Sequence, residues 1–304
     1  MSLLVTGWLA LDEIETPFAH RKDVLGGSAP PAALAASLFT DVRLVAAIGE
    51  DFPEELLRLM DRPSIDTRGV TVIPGGETSR WGGRYHYDMN TRDTAYTHLG
   101  VNTNFRATLP GGWEDTTTLF CAADNPQTQM NLIRALPEVR ATMVDTIKFY
   151  MENMREEVLE TFAAADFIAI NESEARELAG VPSIARATAE LLRGGARGII
   201  VKLGEYGAAY RSADDYFMAA AYPLEEVVDP TGAGDAFAGG FMGYLDSVPS
   251  ITPAEIRRAI IYGSTVASFQ VEGFGPSRLL TLTREEVESR YREFRMLTHF
   301  EVGE

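Results

Sequence analysis

Short apolar segments alternate with amphipathic segments along most of this chain. Residues 3–6 form an apolar run that ends at Gly7, a pattern typical of a buried strand. The same pattern predicts strands at 42–48, 117–122, 141–145, 167–170 and 198–203. The amphipathic segments predict helices at 31–39, 53–60, 127–135, 151–164, 172–179, 184–193, 233–245 and 253–271. This alternation predicts an α/β fold with a mainly parallel sheet that helices cover on both faces.

Residues 78–99 differ from the rest because they mix aromatic and β-prone residues with glycine. Trp81, Tyr85, Tyr87 and Tyr96 lie in this segment, and such a composition predicts an exposed β ribbon rather than a central strand. The chain contains no internal repeat, low-complexity tract or linker, so we expect residues 1–304 to form a single domain. Active sites in parallel sheets form at the carboxyl ends of the strands, and functional residues are expected there.

Charge and cysteine content exclude several classes of function. Lys and Arg number 27 and Asp and Glu number 44, which gives a formal net charge of −17. This balance argues against a nucleic-acid partner and against docking on an anionic membrane. Cys121 is the only cysteine, so no intrachain disulfide can form. The chain has no signal-peptide pattern at its start and no apolar run of about 18 residues. We therefore expect a cytoplasmic protein.

The segment from Asp229 to Asp235 is the most informative candidate for chemistry. Its small residues precede a predicted helix, and the first amides of a helix are unpaired and attract anions. Asp235 would lie beside those amides, where a carboxylate can accept a proton from a hydroxyl group while the amides hold a phosphoryl group. The alternative is a structural role, since an acid in a first turn stabilises its helix by roughly 0.3–1 kcal/mol.

Four motifs, in order, resemble those of the ribokinase-like (pfkB) carbohydrate kinase family. Residues 229–240 resemble its C-terminal signature, and residues 26–29 with 48–51 resemble its N-terminal signature. Residues 171–174 resemble its N-x-x-E motif, and residues 201–207 resemble its nucleotide-loop strand. The resemblance implies a ribokinase-like three-layer α/β/α sandwich with a small β-ribbon lid, formed by residues 12–25 and 77–105.

The resemblance also implies roles for residues in the catalytic and metal sites. Asp235 would be the base that activates the substrate hydroxyl, and the amides of Gly232, Ala233 and Gly234 would form an anion hole. Asn171 and Glu174 would organise Mg²⁺ through water, although Asn and Glu at this spacing also form a helix capping box. In the family, the loop that contains Asp229 and the segment around Gly275 often hold a monovalent cation such as K⁺.

Further residues are implied at the ATP and acceptor sites. The ATP site would include Lys202, Gly204, Gly207, Thr231 and Ser264. The alternatives are a hairpin turn that leads into a strand at 208–211, which Gly207 would serve equally, and an ordinary serine on a helix face. The acceptor site would include Asp12, Gly26, Gly27, Asp124 and Asp145. Each of these aspartates could instead be a turn or cap residue.

Pro31 departs from the family pattern, because family members commonly have an Asn there that binds substrate hydroxyls. The implied function is an ATP-dependent kinase that phosphorylates a hydroxyl of a sugar. A nucleoside kinase of the same fold and a non-catalytic sugar or nucleotide sensor are the alternatives. Lys202 is the only cation within the motifs, so backbone amides and Mg²⁺ must neutralise most of the phosphate charge. An exposed lid ribbon predicts pairing into a homodimer.

Overall fold

The structure, a computed structural model, describes residues 1–299. The strands are β1 (Ser2–Thr6), β2 (Ala10–Glu15), β3 (His20–Gly26), β4 (Asp41–Gly49), β5 (Ile65–Ile73), β6 (Ser79–Tyr85), β7 (Arg92–His98), β8 (Thr118–Cys121), β9 (Thr142–Val144), β10 (Phe167–Asn171), β11 (Gly198–Lys202), β12 (Ala208–Ser212) and β13 (Tyr216–Ala219). The helices are α1 (Ala29–Ala36), α2 (Glu54–Arg58), α3 (Pro126–Ala135), α4 (Lys148–Asn153), α5 (Arg155–Ala164), α6 (Glu172–Ala179), α7 (Ile184–Leu192), α8 (Ala233–Ser247), α9 (Pro253–Gln270) and α10 (Arg284–Thr298).

A nine-stranded sheet forms the centre of the molecule, in the order β13-β12-β11-β10-β9-β8-β1-β4-β5. Every neighbouring pair from β11 to β5 is parallel, and β12 and β13 add an antiparallel hairpin at one edge. The mainly parallel sheet predicted from the alternating segments is therefore confirmed. The carboxyl ends of the parallel strands all lie along one edge of the sheet, where loops can build a site.

Helices cover both faces of this sheet. In β1, Leu3 and Val5 pack in one core with apolar residues of α1, α8 and α9, whereas Leu4 packs in the other with residues of α3 to α7. The packing of α1 against α8 is close because Gly239 has no side chain; a Cβ there would lie 2.2 Å from the carbonyl oxygen of Ala32. The three-layer α/β/α sandwich is confirmed.

A second sheet of four strands lies beyond the carboxyl end of β1. Its order is β3-β2-β6-β7, with β2 and β6 parallel and hairpins β2–β3 and β6–β7 antiparallel. We call β2, β3, β6 and β7 the ribbon sheet. It contains the ribbon predicted at 78–99 and the segment 12–25, so both predicted lid segments contribute to one small sheet.

The structure corrects several predicted elements. Strands β5 and β13 were not predicted. Helix α10 was not predicted either, because the helix at 253–271, which is α9, was expected to be the last one in the chain. Helix α10 was missed although Val287, Tyr291 and Phe294 have the i, i+4, i+7 spacing of one helix face and Thr283 forms a capping box with Glu286. The helix predicted at 151–164 is two helices, which meet at Met154 with non-helical angles (φ −144°, ψ 44°). Within residues 1–299, no helix has both the length and the apolarity needed to cross a membrane.

Candidate active site

Three neighbouring parallel strands bring a lysine and carboxylates together at the carboxyl edge of the sheet. Asp145 follows β9, Glu174 lies in the first turn of α6 after β10, and Lys202 is the last residue of β11. The Nζ of Lys202 forms an ion pair with the Asp145 carboxylate. It also lies 3.1 Å from the point that a Cβ on Gly234 would occupy. Lys202 therefore links the strand ends to the first turn of α8.

The first turn of α8 presents free backbone amides. Gly232 precedes the helix in the left-handed conformation (φ 76°), which favours glycine. The amide of Ala233 donates to the carbonyl of Pro230 at 3.2 Å, whereas the amides of Gly232, Gly234 and Asp235 have no backbone acceptor in the described chain. Of the three amides predicted to form an anion hole, that of Ala233 is therefore already hydrogen-bonded, whereas those of Gly232 and Gly234 are free. The free amide of Asp235 was not part of the prediction.

Asp235 lies close to these amides in a crowded environment. Burial, together with the nearby charge of Asp145, raises the pKa of its carboxyl to about 8, although the charges of Lys202 and Arg92 act to lower it. A carboxyl with such a pKa exchanges its proton near neutral pH. This is the property required of a group that takes a proton from a substrate and later releases it.

Asn171 and Glu174 form the helix capping box that was the alternative to their metal role. The Glu174 amide donates to Asn171 Oδ1, and the Asn171 amide donates to Glu174 Oε2, both at 2.9 Å. Burial, with the nearby Asp145 charge, raises the pKa of Glu174 to about 7. No group of three or more His, Cys, Asp or Glu side chains in the described residues could hold a metal by itself. A metal here would therefore need water and phosphate as further ligands.

Asp12, Gly26 and Gly27 come together on the other side of the site. The Gly27 amide donates to Asp12 Oδ2 at 3.2 Å, while Asp12 Oδ1 is buried without a partner in residues 1–299. A Cβ on Gly26 would lie 2.1 Å from the Asp12 carboxyl carbon, and one on Gly27 would lie 2.2 Å from the carbonyl oxygen of Trp8. Gly26 is therefore needed for the close approach of β3 to the Asp12 side chain, and Gly27 for the close approach to the Trp8 backbone.

Asp124 lies further along the same edge, after β8. Its Oδ1 accepts from the indole N–H of Trp8 at 3.1 Å and from the amide of Asn125 at 2.6 Å. Its Oδ2 is buried and has no partner within residues 1–299. Burial raises the pKa of Asp124 to about 7. One oxygen of this carboxylate thus holds the loop together, and the hydrogen-bonding capacity of the other is unused.

The ribbon sheet contributes Tyr85, one of the aromatics named in the predicted ribbon, and Arg92, which the sequence did not single out. Tyr85 Oη lies 3.1 Å from Thr231 Oγ1. Arg92 lies over the ring of Trp81 at 4.8 Å from its centre and lowers the pKa of Asp12, Glu174 and Asp235. In residues 1–299 it makes no ion pair within 4.0 Å. The one sequence feature that could have indicated Arg92 as a functional residue is its positive charge within the predicted lid of a strongly acidic chain.

The turn predicted to bind the nucleotide has the geometry of a hairpin turn, which was the structural alternative, and it also contacts the ribbon sheet. Gly204 (φ 60°) and Gly207 (φ 99°) flank the turn before β12, and a Cβ on Gly207 would lie 2.0 Å from the carbonyl oxygen of Ala219. Gly207 is therefore needed for the β12–β13 hairpin. A Cβ on Gly204 would lie 2.0 Å from Asn90 Oδ1, so the tip of the β6–β7 hairpin reaches this turn. Ser264 is buried in α9.

Gln270 at the end of α9 holds two loops together behind the first turn of α8. Its Nε2 donates to the carbonyls of Thr231 at 2.9 Å and Gly275 at 2.8 Å. Asp229 bridges the same loops, because its Oδ1 accepts from the Thr231 amide at 2.9 Å and its Oδ2 from the Gly275 amide at 2.8 Å. The loop that precedes the free amides is therefore fixed by side chains.

Comparisons with known proteins agree with this geometry. The model of the pfkB family carbohydrate kinases matches residues 11–282. The chain belongs to the pfkB family. It is 32% identical to the cytidine kinase of Thermococcus kodakarensis over 82% of this chain and 90% of that protein. The members of this family transfer a phosphoryl group to a hydroxyl group, so this pfkB protein is a phosphotransferase with an alcohol as acceptor.

Solved structures have the same fold. The nucleoside kinase of Burkholderia thailandensis, solved with inosine, superposes with a TM-score of 0.79 at 23% identity and covers 97% of this chain and 98% of its own. A protein from E. coli provisionally described as a ribokinase II, solved with ATP and Mg²⁺, superposes with a TM-score of 0.78 at 21% identity, covering 96% and 99%. The ribokinase-like sandwich implied by the motifs is confirmed.

Proposed function

We propose that this pfkB protein transfers the γ-phosphoryl group of ATP to a hydroxyl group of a sugar. One observation carries the proposal: Asp235 lies in the first turn of α8, beside free amides and next to Lys202. A base, an anion hole and a cation therefore meet at one point. Phosphoryl transfer needs this combination, because its catalysis depends on positioning and charge stabilisation.

In the proposed reaction Asp235 accepts the proton of the sugar hydroxyl as the hydroxyl oxygen bonds to the γ-phosphorus. The bond between the γ-phosphorus and the bridging oxygen breaks at the same time, and ADP leaves with that oxygen. The amides of Gly232 and Gly234 receive the negative charge that develops on the phosphoryl oxygens, and Lys202 adds a positive charge beneath them. The Asp145 carboxylate holds Lys202 in place. Donors that are already oriented cost no reorganisation at the moment of reaction.

Mg²⁺ would neutralise phosphate charge when bound. Asn171 and Glu174 would hold it through water, and the site fits this role because the capping box uses Glu174 Oε2 and leaves Oε1 free of that contact. ATP would lie across the turn from Gly204 to Gly207, with Thr231 and Ser264 nearby, as the family motif implies. Asn90 at the tip of the ribbon sheet contacts this turn and would cover the nucleotide.

A monovalent cation does not fit the loops at Asp229 and Gly275 while Gln270 keeps its position. The amide nitrogen of Gln270 already bridges the carbonyls of Thr231 and Gly275, and carbonyl oxygens are the ligands such a cation would use. Gln270 is 1% exposed, so water does not compete for these contacts. We infer that the side-chain amide N–H groups of Gln270 take the place at these carbonyls that a cation such as K⁺ takes in family members that hold one.

The acceptor sugar would bind between Asp12 and Asp235, under the ribbon sheet. Asp12 Oδ1 is buried without a partner and suits a sugar hydroxyl as donor. The sugar could be free or part of a nucleoside, and two observations favour the nucleoside. The cytidine kinase relative is 32% identical, and Pro31 lies against the α8 turn, 3.0 Å from the point that a Cβ on Gly232 would occupy. Proline cannot donate to a sugar hydroxyl there.

A coupled assay of ADP release over a panel of sugars and nucleosides tests this function. Asp235→Asn should lower kcat by about 10²–10⁴-fold and leave ATP binding nearly unchanged. Asp214→Asn, a change on the exposed turn between β12 and β13, is the matched control. Unchanged turnover of Asp235→Asn would exclude Asp235 as the base. Ligand binding without ADP release for any acceptor would favour the sensor.

We also propose a homodimer formed through the ribbon sheet. Both outer strands, β3 and β7, have a free edge, and Phe18 and Tyr87 are exposed side by side at its hairpin tips, with ring centres 6.0 Å apart. Free edges and exposed aromatics favour pairing with another chain. Light scattering should give twice the monomer mass of 33.3 kDa, and a monomer would contradict the proposal. Residence in the cytoplasm stays a prediction.

A further inference from the structure

We propose that Trp8, Asp124 and Tyr150 form a subsite for the base of a nucleoside, in which Asp124 Oδ2 accepts a hydrogen bond from an exocyclic amino group. This inference rests on the proposed function and names the substrate class of the same site. It would make an amino-bearing nucleoside, such as cytidine or adenosine, the preferred acceptor over its oxo counterpart.

The three residues meet at the carboxyl ends of adjacent strands. Trp8 follows β1, Asp124 follows β8 and Tyr150 lies in α4 after β9, and these strands are neighbours in the sheet. Trp8 donates its indole N–H to Asp124 Oδ1 at 3.1 Å. The ring of Tyr150 packs edge-on against that of Trp8, with centres 6.2 Å apart and planes at 83°.

Backbone contacts fix this group next to the proposed sugar site. The Trp8 amide donates to Ser28 Oγ at 3.1 Å, and Ser28 Oγ donates to the carbonyl of Ala123 at 3.0 Å. The Trp8 carbonyl lies beside Gly27, whose amide binds Asp12. A sugar held by Asp12 would therefore direct a substituent on its ring toward Trp8 and Asp124.

Two polar atoms in this group have no partner, although both side chains are nearly inaccessible. Asp124 is 2% exposed and Tyr150 is 1% exposed, yet within residues 1–299 neither Asp124 Oδ2 nor the Tyr150 hydroxyl has a hydrogen-bond partner within 3.5 Å. Buried polar atoms in native proteins are almost always paired. A ligand with a donor for the carboxylate and a polar group for the phenol would satisfy both.

The chemistry of the carboxylate decides which base fits. Asp124 Oδ1 already accepts two donors, so a ligand meets Oδ2 alone. An ionised oxygen attracts an amino N–H and repels a carbonyl oxygen. Burial raises the pKa of Asp124 to about 7 against the lowering effect of its contacts with Asn125 and Trp8, and an N–H donor from the ligand would favour the ionised form further. The aromatic rings of Trp8 and Tyr150 would suit a planar base.

Asp124→Asn tests the inference with little structural change. The amide oxygen of Asn can keep both contacts of Oδ1, while its NH₂ replaces the acceptor Oδ2 with a donor. We expect KM for cytidine to rise by about 10–100-fold and the preference for cytidine over uridine to fall by a similar factor. KM for free ribose, which has no base, should change far less than KM for cytidine. Tyr150→Phe should weaken nucleoside binding without altering ribose, and titration calorimetry without ATP measures both effects independently of turnover.

The outcomes separate this inference from the proposed function. If the protein phosphorylates ribose but neither binds nor phosphorylates nucleosides, the subsite is wrong and the kinase function stands. If Asp124→Asn changes ribose and cytidine equally, or changes neither, Asp124 does not recognise the base. If no sugar or nucleoside is phosphorylated, the proposed function fails, and calorimetry decides the subsite separately: weaker cytidine binding by Asp124→Asn supports it, and unchanged cytidine binding overturns it. A melting temperature of Asp124→Asn near that of the unaltered protein shows that folding does not explain the loss.

Discussion

The Lys202 ammonium group and the Asp145 carboxylate form an ion pair directly below Gly234, so a buried charge pair supports the free amides of α8. In the proposed reaction, replacing Lys202 by Met removes the positive charge that lies next to the transferred phosphoryl group. We expect kcat to fall by about 10²–10³-fold. Because Lys202 lowers the pKa of Asp235, the pH profile of kcat/KM should move to higher pH as well.

Two further variants make this measurement decisive. Lys148→Met removes an exposed lysine that pairs only with Glu152 and should leave kcat unchanged. Lys202→Met with Asp145→Asn removes both members of the buried pair, so stability should recover relative to the single variant while kcat stays low. An unshifted pH profile in Lys202→Met would show that this lysine does not act on Asp235.

The raised pKa of Asp235 predicts a pH-dependent cost to stability. The folded carboxyl has a pKa of about 8, whereas the pKa of an ordinary aspartate is 3.8, so between these values the folded state keeps a proton that the unfolded state has released. Below pH 3.8 both states are protonated and the cost to stability is absent; it grows as the pH rises and is complete above pH 8. Asp235→Asn should therefore melt several degrees higher than the unaltered protein at pH 9, with a smaller difference at pH 5. Calorimetric scans measure this, and a constant difference would contradict it.

Arg92 should matter for turnover although it lies on the ribbon sheet. It is near enough to Asp12, Glu174 and Asp235 to lower the pKa of each. We expect Arg92→Ala to lower kcat by roughly 10–100-fold, because a cation near the transferred phosphoryl group is lost. Steady-state kinetics measure this. Arg84→Ala, which removes an arginine paired with Glu15 on the same sheet, is the control, and equal kinetics in both variants would refute a role for Arg92.

Gln270 predicts how the enzyme responds to K⁺. Turnover should be the same in potassium chloride and choline chloride, since an amide already bridges the Thr231 and Gly275 carbonyls. Gln270→Ala frees these oxygens, so kcat should fall by about 10-fold in choline and recover in potassium. The melting temperature of this variant should also rise with potassium. Activation of the unaltered enzyme by K⁺ would show that the amide does not replace the cation.

Features that depend on neighbouring residues in the chain could be predicted from the sequence. The capping box of Asn171 and Glu174 needs only four consecutive residues, and Gly232 and Asp235 lie within one turn. The parallel strands were also visible, because each is a short apolar run between helices. Strand β5 was not, since polar residues such as Asp66, Thr67 and Arg68 interrupt its apolar ones.

Contacts between distant segments could not be predicted. Tyr85 and Thr231 are 146 positions apart, and Lys202 and Asp145 are 57 apart. No local pattern assigns Gln270, at the end of α9, to the loop at Thr231. The unpaired oxygen of Asp124 depends on Trp8, 116 positions away, which occupies the other oxygen. The sequence indicated the type of these residues, and only the fold indicates their partners.

The β6–β7 hairpin touches the nucleotide turn through Asn90 and the loop before α8 through Tyr85. One element therefore covers two binding sites. Whichever ligand binds first orders the hairpin, so the second ligand pays less of the free energy of ordering it. Thermodynamic linkage requires this gain to be the same in either order of binding. Sugar and nucleotide should thus strengthen each other's binding by one common factor, and that factor measures the ordering free energy of the hairpin that the two ligands share.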